Sequence, residues 1–553
     1  MATHSDAHLG IFETKTILPL TSSDGALDSH YLIRLLSATA AIFIVLYIFR
    51  FAQSQDDLPV VNRLFPFEPR FFARVRWTFW AREILEAADK NVGFHNLLTV
   101  VCAVLTWPRK AQGNPYRLAH GGQELVILPS RLIPELNRLG TDVLDSRQAH
   151  SFTLLGHLTG IDVVEKTSYH VRMLLARISP ALPELFAPAT ARLSDAMKED
   201  FPQSHEWTEM YLLPAAVRCF SEVVALALFG SQMAQDPRLV ELTYGLTKNV
   251  FVVAFAMRCL PPFLQPVLVW LLPAKWDLDR AWRELDTYVV PEVLRQKEAD
   301  LGTGKTAVDP NLISWMVKDG RTELERDPNV LSALCGSVAA GSTYSIANFV
   351  CRALSDLVAH PDVLNAVRAE IHAKHASLDG KWDMAALATL ERLESAMKET
   401  ARLAPGTLIV YSRIAQRDCV VGGVSLKKGQ PIAMSGPGRA KDPAIFDDPN
   451  TYKGLRFCDE DKREEHLARP FRSVDTDILT WGAGRWACPG RQVADMVAKV
   501  MLVKLLDEYD FAFANQKPLQ HSAIHEFLFI HPDKKILVRR RKDAVGIDFS
   551  TSD

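Results

Sequence analysis

The chain has 553 residues, 48 % hydrophobic and 23 % charged, with a formal net charge of −2. That length can bury a sizeable core, and so neutral a balance argues against a nucleic-acid surface. The eight cysteines are scattered without a C-x-x-C pair, which points to a reducing compartment rather than a disulfide-stapled secreted fold.

Residues 1–30 mix polar residues with single apolar ones and read as a loosely ordered tail. Residues 31–51, Y-L-I-R-L-L-S-A-T-A-A-I-F-I-V-L-Y-I-F-R-F, form an apolar run. As a helix it would be about 31 Å long, enough to cross a hydrocarbon core. Arg34, near one end, can snorkel. The run starts late for a signal peptide and lacks a small-residue cleavage site. Arg50, Arg63, Arg70, Arg74 and Arg76 follow it, so the positive-inside rule leaves the bulk of the chain in the cytosol. A Pro-rich neck is expected over 52–69, one globular domain over 70–543 and a tail over 544–553.

Within the globule, Arg70 to Asn91 is a basic, aromatic helix candidate suited to a membrane surface. P-Y-R-L-A-H, then G-G-Q, then E-L-V-I-L-P predicts a hairpin. Helical patches run from Pro129 to Phe201, broken by Gly156, Gly160, Pro180 and Pro183. Trp207 to Gly230 and Leu239 to Arg258 read as long apolar helices. Pro261-Pro262 breaks the second, and P-V-L-V-W-L-L-P follows. An access lid sunk in a membrane and plain core packing both fit this pattern. Asp327-Pro328-Asn329 is a helix start, and no proline interrupts Asn329 to His360, which predicts a helix about 48 Å long. Its centre, C-G-S-V-A-A-G-S-T-Y-S, is rich in small residues and allows close approach of a flat ligand.

K-E-T-A-R-L puts Glu399 and Arg402 on one helix face, where they can pair. F-D-D-P-N-T-Y-K-G-L-R-F then offers Arg456 to complete a Glu–Arg–Arg cluster. From Leu403 the chain turns strand-like, through L-I-V-Y-S-R-I-A and G-G-V-S-L-K-K-G-Q-P-I-A, and Asp459 to Arg469 is a charge-rich loop. Finally W-G-A-G-R-W-A-C-P-G at 481–490 sets Cys488 among glycines, just before the helical pattern Arg491 to Asp507. A thiolate there meets backbone N–H groups and a helix N-terminus, which suits an iron ligand. A small buried hydrophobe would satisfy the same position.

Taken together these stretches resemble the cytochrome P-450 superfamily. Glu399 and Arg402 match its E-x-x-R, Arg456 the arginine of the segment that follows, and 481–490 its F-x-x-G-x-[RH]-x-C-x-G. The phrasing of L-P-V-V-N, P-Y-R-L, A-H-P-D-V and R-W-A-C-P-G-R is similar to fungal microsomal members, most of all ent-kaurene oxidases and diterpenoid oxygenases. The resemblance implies a mainly α fold with small β-sheets, a long central helix crossing the heme and a thiolate loop before a proximal helix. It sits behind one N-terminal transmembrane helix. Heme b with Cys488 as axial iron ligand is implied, with Trp481, Gly484, Trp486, Gly490, Arg413, Gly341 and His170 around it. His170 and Arg172 would lie on a helix approaching the propionates, and residues near 145–165 would form a loop over the substrate.

In the thiolate loop two departures stand out. Trp481 replaces the leading Phe, and Trp486 stands where an Arg or His usually meets a propionate, with Arg485 one place earlier. On the central helix the family's A-G-x-[DE]-T falls on Gly341-Ser342-Thr343-Tyr344-Ser345, so Ser345 replaces the threonine and Tyr344 the acid. Ser345 and Tyr344 are the candidates for proton delivery, with Thr343 or Asn348 ordering water. The implied function is an endoplasmic-reticulum monooxygenase with its catalytic domain in the cytosol, acting on an apolar terpenoid of fungal secondary metabolism. NADPH would act through a reductase, with a cytochrome b-type donor as a second electron source. Arg472, Arg485, Arg491, Lys499 and Lys504 are candidates for the reductase docking face. A heme-thiolate isomerase that does not use dioxygen, and a non-catalytic heme or lipid binder, are the alternatives.

Overall fold

A computed structural model describes Ser37 and residues 58–64, 68–89, 113–120, 123–303, 310–458 and 469–549. The anchor expected over 31–51 lies outside the described residues except for Ser37, and the charged loop from Asp459 lies outside them up to Arg469.

The central helix, Pro328–Ala359, is the axis on which the rest is packed. The Asp327 carboxylate caps it by accepting from the Asn329 N–H (2.8 Å), and Pro328 sits at its first turn, where a missing N–H costs nothing. Helices Leu212–Met233, Pro237–Arg258, Pro273–Thr303 and Arg491–Glu508 surround it. Three of these five, Leu212–Met233, Pro237–Arg258 and the central helix, are long and apolar enough to cross a membrane by length and composition. They are apolar because they face one another: Ala216, Val217, Leu246, Val250, Ala339 and Ala347 are all fully buried. Close approach also explains Gly336, where a Cβ would sit 2.3 Å from the Trp282 ring.

A five-stranded sheet lies to one side, in the order Tyr116–His120, Gln123–Ile127, Pro431–Ser435, Ile409–Ala415, Leu144–Asp145. The expected hairpin pairs Tyr116 with Ile127 and His120 with Gln123. A second hairpin, His521–Ile524 with Phe527–Ile530, is tied to the central helix by Asn348, whose amide donates to Leu528 O (2.8 Å) and accepts from Ile530 N (3.0 Å).

Several expectations need correction. Trp207 does not open a helix: Thr208–Tyr211 is an edge strand on Lys535–Arg540, because alternation there serves a sheet face. The loop expected near 145–165 is three short helices, Ser146–Thr153, Gly156–Thr159 and Val163–Lys166. The neck does not reach 69, since Val61 N–H bonds Arg117 O (2.9 Å) and Glu68 is buried against Arg76. Nor is 544–553 wholly a tail. The Asp507 carboxylate accepts from the N–H groups of Val545, Gly546 and Ile547, and Phe549 packs on Phe186 and Trp382.

Candidate functional site

The loop carrying Cys488 is two 3-10 turns, Leu479–Trp481 and Gly484–Trp486, joined through left-handed Gly482. Gly484 is also left-handed (φ +67°), and a Cβ there would collide with Asn137 Oδ1 at 2.2 Å, so its requirement is steric. Cys488 N–H donates to Trp481 O (2.7 Å), folding the loop back on itself. The proximal helix Arg491–Glu508 begins three residues on, and Arg491 donates to Cys488 O (2.9 Å). Burial pushes the Cys488 thiol up, against the N–H groups of Gly490 and Arg491 and the Arg491 charge, which pull it down. A bonded cation is what tips such a buried sulfur to the thiolate. Gly490 has open space where its side chain would be, and Trp486 is half-buried. The Trp481 indole donates to Phe471 O (2.6 Å) and meets the Phe471 ring edge-on, while Phe471 stacks on Phe349 of the central helix at 4.8 Å.

Behind the loop, Glu399, Arg402 and Arg456 come together as one buried cluster. Arg402 forks onto both Glu399 oxygens (2.8 and 2.8 Å), and Arg456 Nε reaches both at 3.1 Å. Arg402 also holds the carbonyls of Ala440 and Pro449 (2.7 and 2.6 Å). With Glu399 and Arg402 both 0 % exposed, this is no solvated surface pair: each charge is fully met inside the protein.

Beside it, Lys499 is buried between Glu394 and Asp495, and Lys504 is buried against Glu508. Neither can face a partner protein, which corrects their assignment to a docking surface. Arg485 is exposed and Arg472 partly so.

On the sheet side, a bulge between Val410 and Arg413 puts Tyr411 at φ +58° and re-aims the next residues. The Tyr411 hydroxyl is pinned to Asn137 (2.6 Å), and its ring lies 4.1 Å under the Arg413 guanidinium. Burial lowers Arg413 to about 10. His170 is lowered to about 4, first by burial and then by His150; its Nδ1 is buried without a hydrogen-bond partner among the described residues. His150, which no sequence signal marked, is lowered by burial and also feels Arg413, and Arg413 feels Arg485. The carboxylate within reach, Asp145, is engaged by Arg147 (2.7 Å). A set of four basic groups with one occupied acid fits a ligand that brings carboxylates of its own. Arg172 does not join it: it pairs with Glu325 (2.7 Å), which corrects its expected approach to the propionates.

On the central helix, Gly341 and Ser345 are exposed one turn apart, and a Cβ at Gly341 would meet nothing within 4 Å. Ser345 Oγ donates to Gly341 O (3.0 Å). Tyr344 lies about 100° round the helix and stacks on Tyr244 (6.5 Å between centroids). Burial pushes it up to about 12, so it keeps its proton where an acid would release one. Thr343 is fully buried on the far side, and the Ala339 carbonyl that would take its hydroxyl already accepts from Thr247 (3.1 Å). Asn348 spends its amide on the hairpin, which counts against the water-ordering role expected of it.

The donor set fits the heme that the sequence resemblance implies: a sulfur at a helix start, basic groups for two carboxylates and a small-residue stripe for a flat ring. Comparison with known proteins agrees. The Cytochrome P450 family model matches residues 165–539. The chain is 26 % identical to Cytochrome P450 monooxygenase olcJ of Penicillium canescens, over 88 % of this chain and 89 % of that one. It is 25 % identical to the cytochrome P450 monooxygenase terK of Tolypocladium album, over 86 % and 88 %. The crystal structure of the cytochrome P450DA heme domain shares the fold, with a TM-score of 0.59 at 18 % identity, over 78 % of this chain and 90 % of that one. With the matched stretch running from the helical turns before His170 to the last strand, the chain belongs to the cytochrome P450 family.

Proposed function

We propose that the chain is a membrane-anchored heme-thiolate monooxygenase that oxidises an apolar metabolite, with terpenoids of fungal secondary metabolism as the substrate class. Its relatives from Penicillium and Tolypocladium are named cytochrome P450 monooxygenases. The observation that carries the reading is Cys488, three residues before the proximal helix in a loop folded back by its N–H bond to Trp481 O and by Arg491 on its carbonyl. Cys488 would ligate the iron, and Arg413, His170 and His150 would hold the propionates. When bound, thiolate-ligated heme supplies the activation of dioxygen and its transfer to carbon. The protein does the rest: the packed helices exclude water, Gly341 leaves room for a flat ligand, and the Ser345 hydroxyl would hold a proton for delivery beside it. Arg485, Arg472 and Arg491 form the face for an acidic NADPH-dependent reductase, so turnover falls with rising salt.

The membrane reading rests on the apolar run 31–51 and on apolar side chains left exposed on the globule. These include Phe71, Phe72 and Phe79 on the helix Arg70–Asp89, and Phe263, Val267 and Leu271 after the helix Pro237–Arg258. A chain lacking residues 1–57 that no longer floats with phospholipid vesicles supports the anchor; equal flotation removes it.

The decisive experiment is the visible spectrum of the reduced protein under carbon monoxide, with and without Cys488→Ser. A red-displaced band that the variant loses is expected, along with product formation at background. The same band in both would overturn the assignment. One observation favours a second reading: Tyr344, with its raised pKa, is a poor stand-in for an acid, which suits a rearrangement that uses no dioxygen. Substrate-dependent NADPH consumption with a reductase separates the two.

A further inference from the structure

The helix Pro237–Arg258 turns Val250, Val253, Ala254 and Met257 into the core and leaves Phe251 and Phe255 half-buried on its other stripe. The hairpin alternates likewise: Leu528 and Ile530 are buried, while Phe527 is half-buried. These outer stripes meet. Phe527 lies 5.5 Å from Phe251 and 5.2 Å from Phe255, ring to ring, on a hairpin that Asn348 docks one turn beyond Ser345.

What holds the two elements in register is polar. Arg258, the last residue of the helix, forks onto Glu526 at the hairpin tip (3.0 and 2.8 Å), and both are buried. His120 Nε2 sits 2.6 Å from Arg258 Nη2, and Trp77 Nε1 donates to Glu526 (3.4 Å). Next to it His525 is left-handed (φ +51°), a conformation that costs a bulky residue free energy. Its N–H donates to Thr78 O (2.9 Å), and its ring nitrogens reach Thr78 Oγ1 (3.3 Å) and Phe255 O (3.1 Å). A buried ion pair is a poor source of stability compared with apolar packing, so such a pair is better explained by the geometry it imposes. Past Arg258, Phe263 and Leu271 are each 77 % exposed, and the buried Gln265 amide donates to Met257 O (3.1 Å), so the helix end is held by that cap and by the Arg258 pair.

We propose that Arg258 and Glu526 are positioning residues for substrate entry. Their pair latches the helix end to the hairpin tip and holds Phe251, Phe255 and Phe527 as one aromatic wall that selects ligands by size. The inference rests on the heme-thiolate reading of the site, since Asn348 docks the wall's hairpin one turn beyond Ser345.

The test uses full-length holoprotein as wild type, Glu526→Gln and the double variant Arg258→Met/Glu526→Leu. The double variant removes both charges together and so keeps the fold should the single one fail. Stopped-flow absorbance follows binding of two iron-ligating probes, imidazole and an imidazole carrying a triphenylmethyl group. Unlatching is expected to speed the bulky probe about tenfold and leave imidazole within about twofold. Hydrogen exchange should rise together in peptides 251–260 and 521–530 and nowhere else. Equal acceleration of both probes, no acceleration, or exchange rising throughout the chain overturns the latch. The carbon monoxide band of the wild type is read in parallel. If that band is missing, the heme assignment is at fault, and the exchange data still judge the latch.

Discussion

The two faces of the site are built by opposite means. On the proximal side, charge is buried and answered: Glu399 with Arg402 and Arg456, Glu394 and Asp495 with Lys499, Cys488 with the N–H groups of Gly490 and Arg491. On the distal side the central helix offers a bare stripe, Gly341 and Ser345, and the hairpin docked on Asn348 carries half-buried Phe527 against Phe251 and Phe255. The difference teaches where change is tolerated. A substitution in the proximal cluster strands a charge in a dry interior, whereas one at Gly341 or Ser345 alters what fits or how a proton moves and leaves the fold standing.

Glu399→Gln is expected to strike hardest, since it leaves Arg402 and Arg456 charged beside a neutral amide. A loss of about 3–5 kcal/mol in denaturant unfolding is expected, and a loss below about 1 kcal/mol would erase the contrast between the faces. Arg413→Leu sits between the two faces. It should leave stability nearly intact yet weaken heme retention about tenfold or more, read as the rate of heme transfer to a scavenging apoprotein. Unchanged retention would remove Arg413 from the propionate set. Ser345→Ala should change neither stability nor heme content and lower the coupling of electrons to product by a few-fold. A drop in unfolding stability to match Glu399→Gln would break the comparison from the other side.

The smallest effect is one of pH. His521 on the hairpin is lowered to about 4, by burial first and then by Arg352, Arg82 and Lys441. Its unfolded value is near 6.5, so between about 6.5 and 4 the unfolded chain binds the extra proton. Its contribution to stability is therefore complete above that window and declines as pH falls through it. His521→Gln should flatten the acid side of the melting-temperature profile, and a profile unchanged below pH 6.5 would show that the ring is not held neutral.

Sequence alone carried the features that are local or that repeat a short pattern. The start and length of the central helix follow from Asp327-Pro328-Asn329 and an uninterrupted apolar run, because capping and helix period act within a few residues. The Glu399–Arg402 pair follows from one turn of helix, and the thiolate loop from its glycines. Only the tertiary structure decided what distant segments do to one another. His150 meets Arg413 because a bulge re-aims a strand, and Arg258 finds Glu526 across 268 positions. Lys499 looks like a surface charge in the chain and is buried by two acids. Burial and long-range pairing depend on which faces pack together, and no window of contiguous residues contains that information.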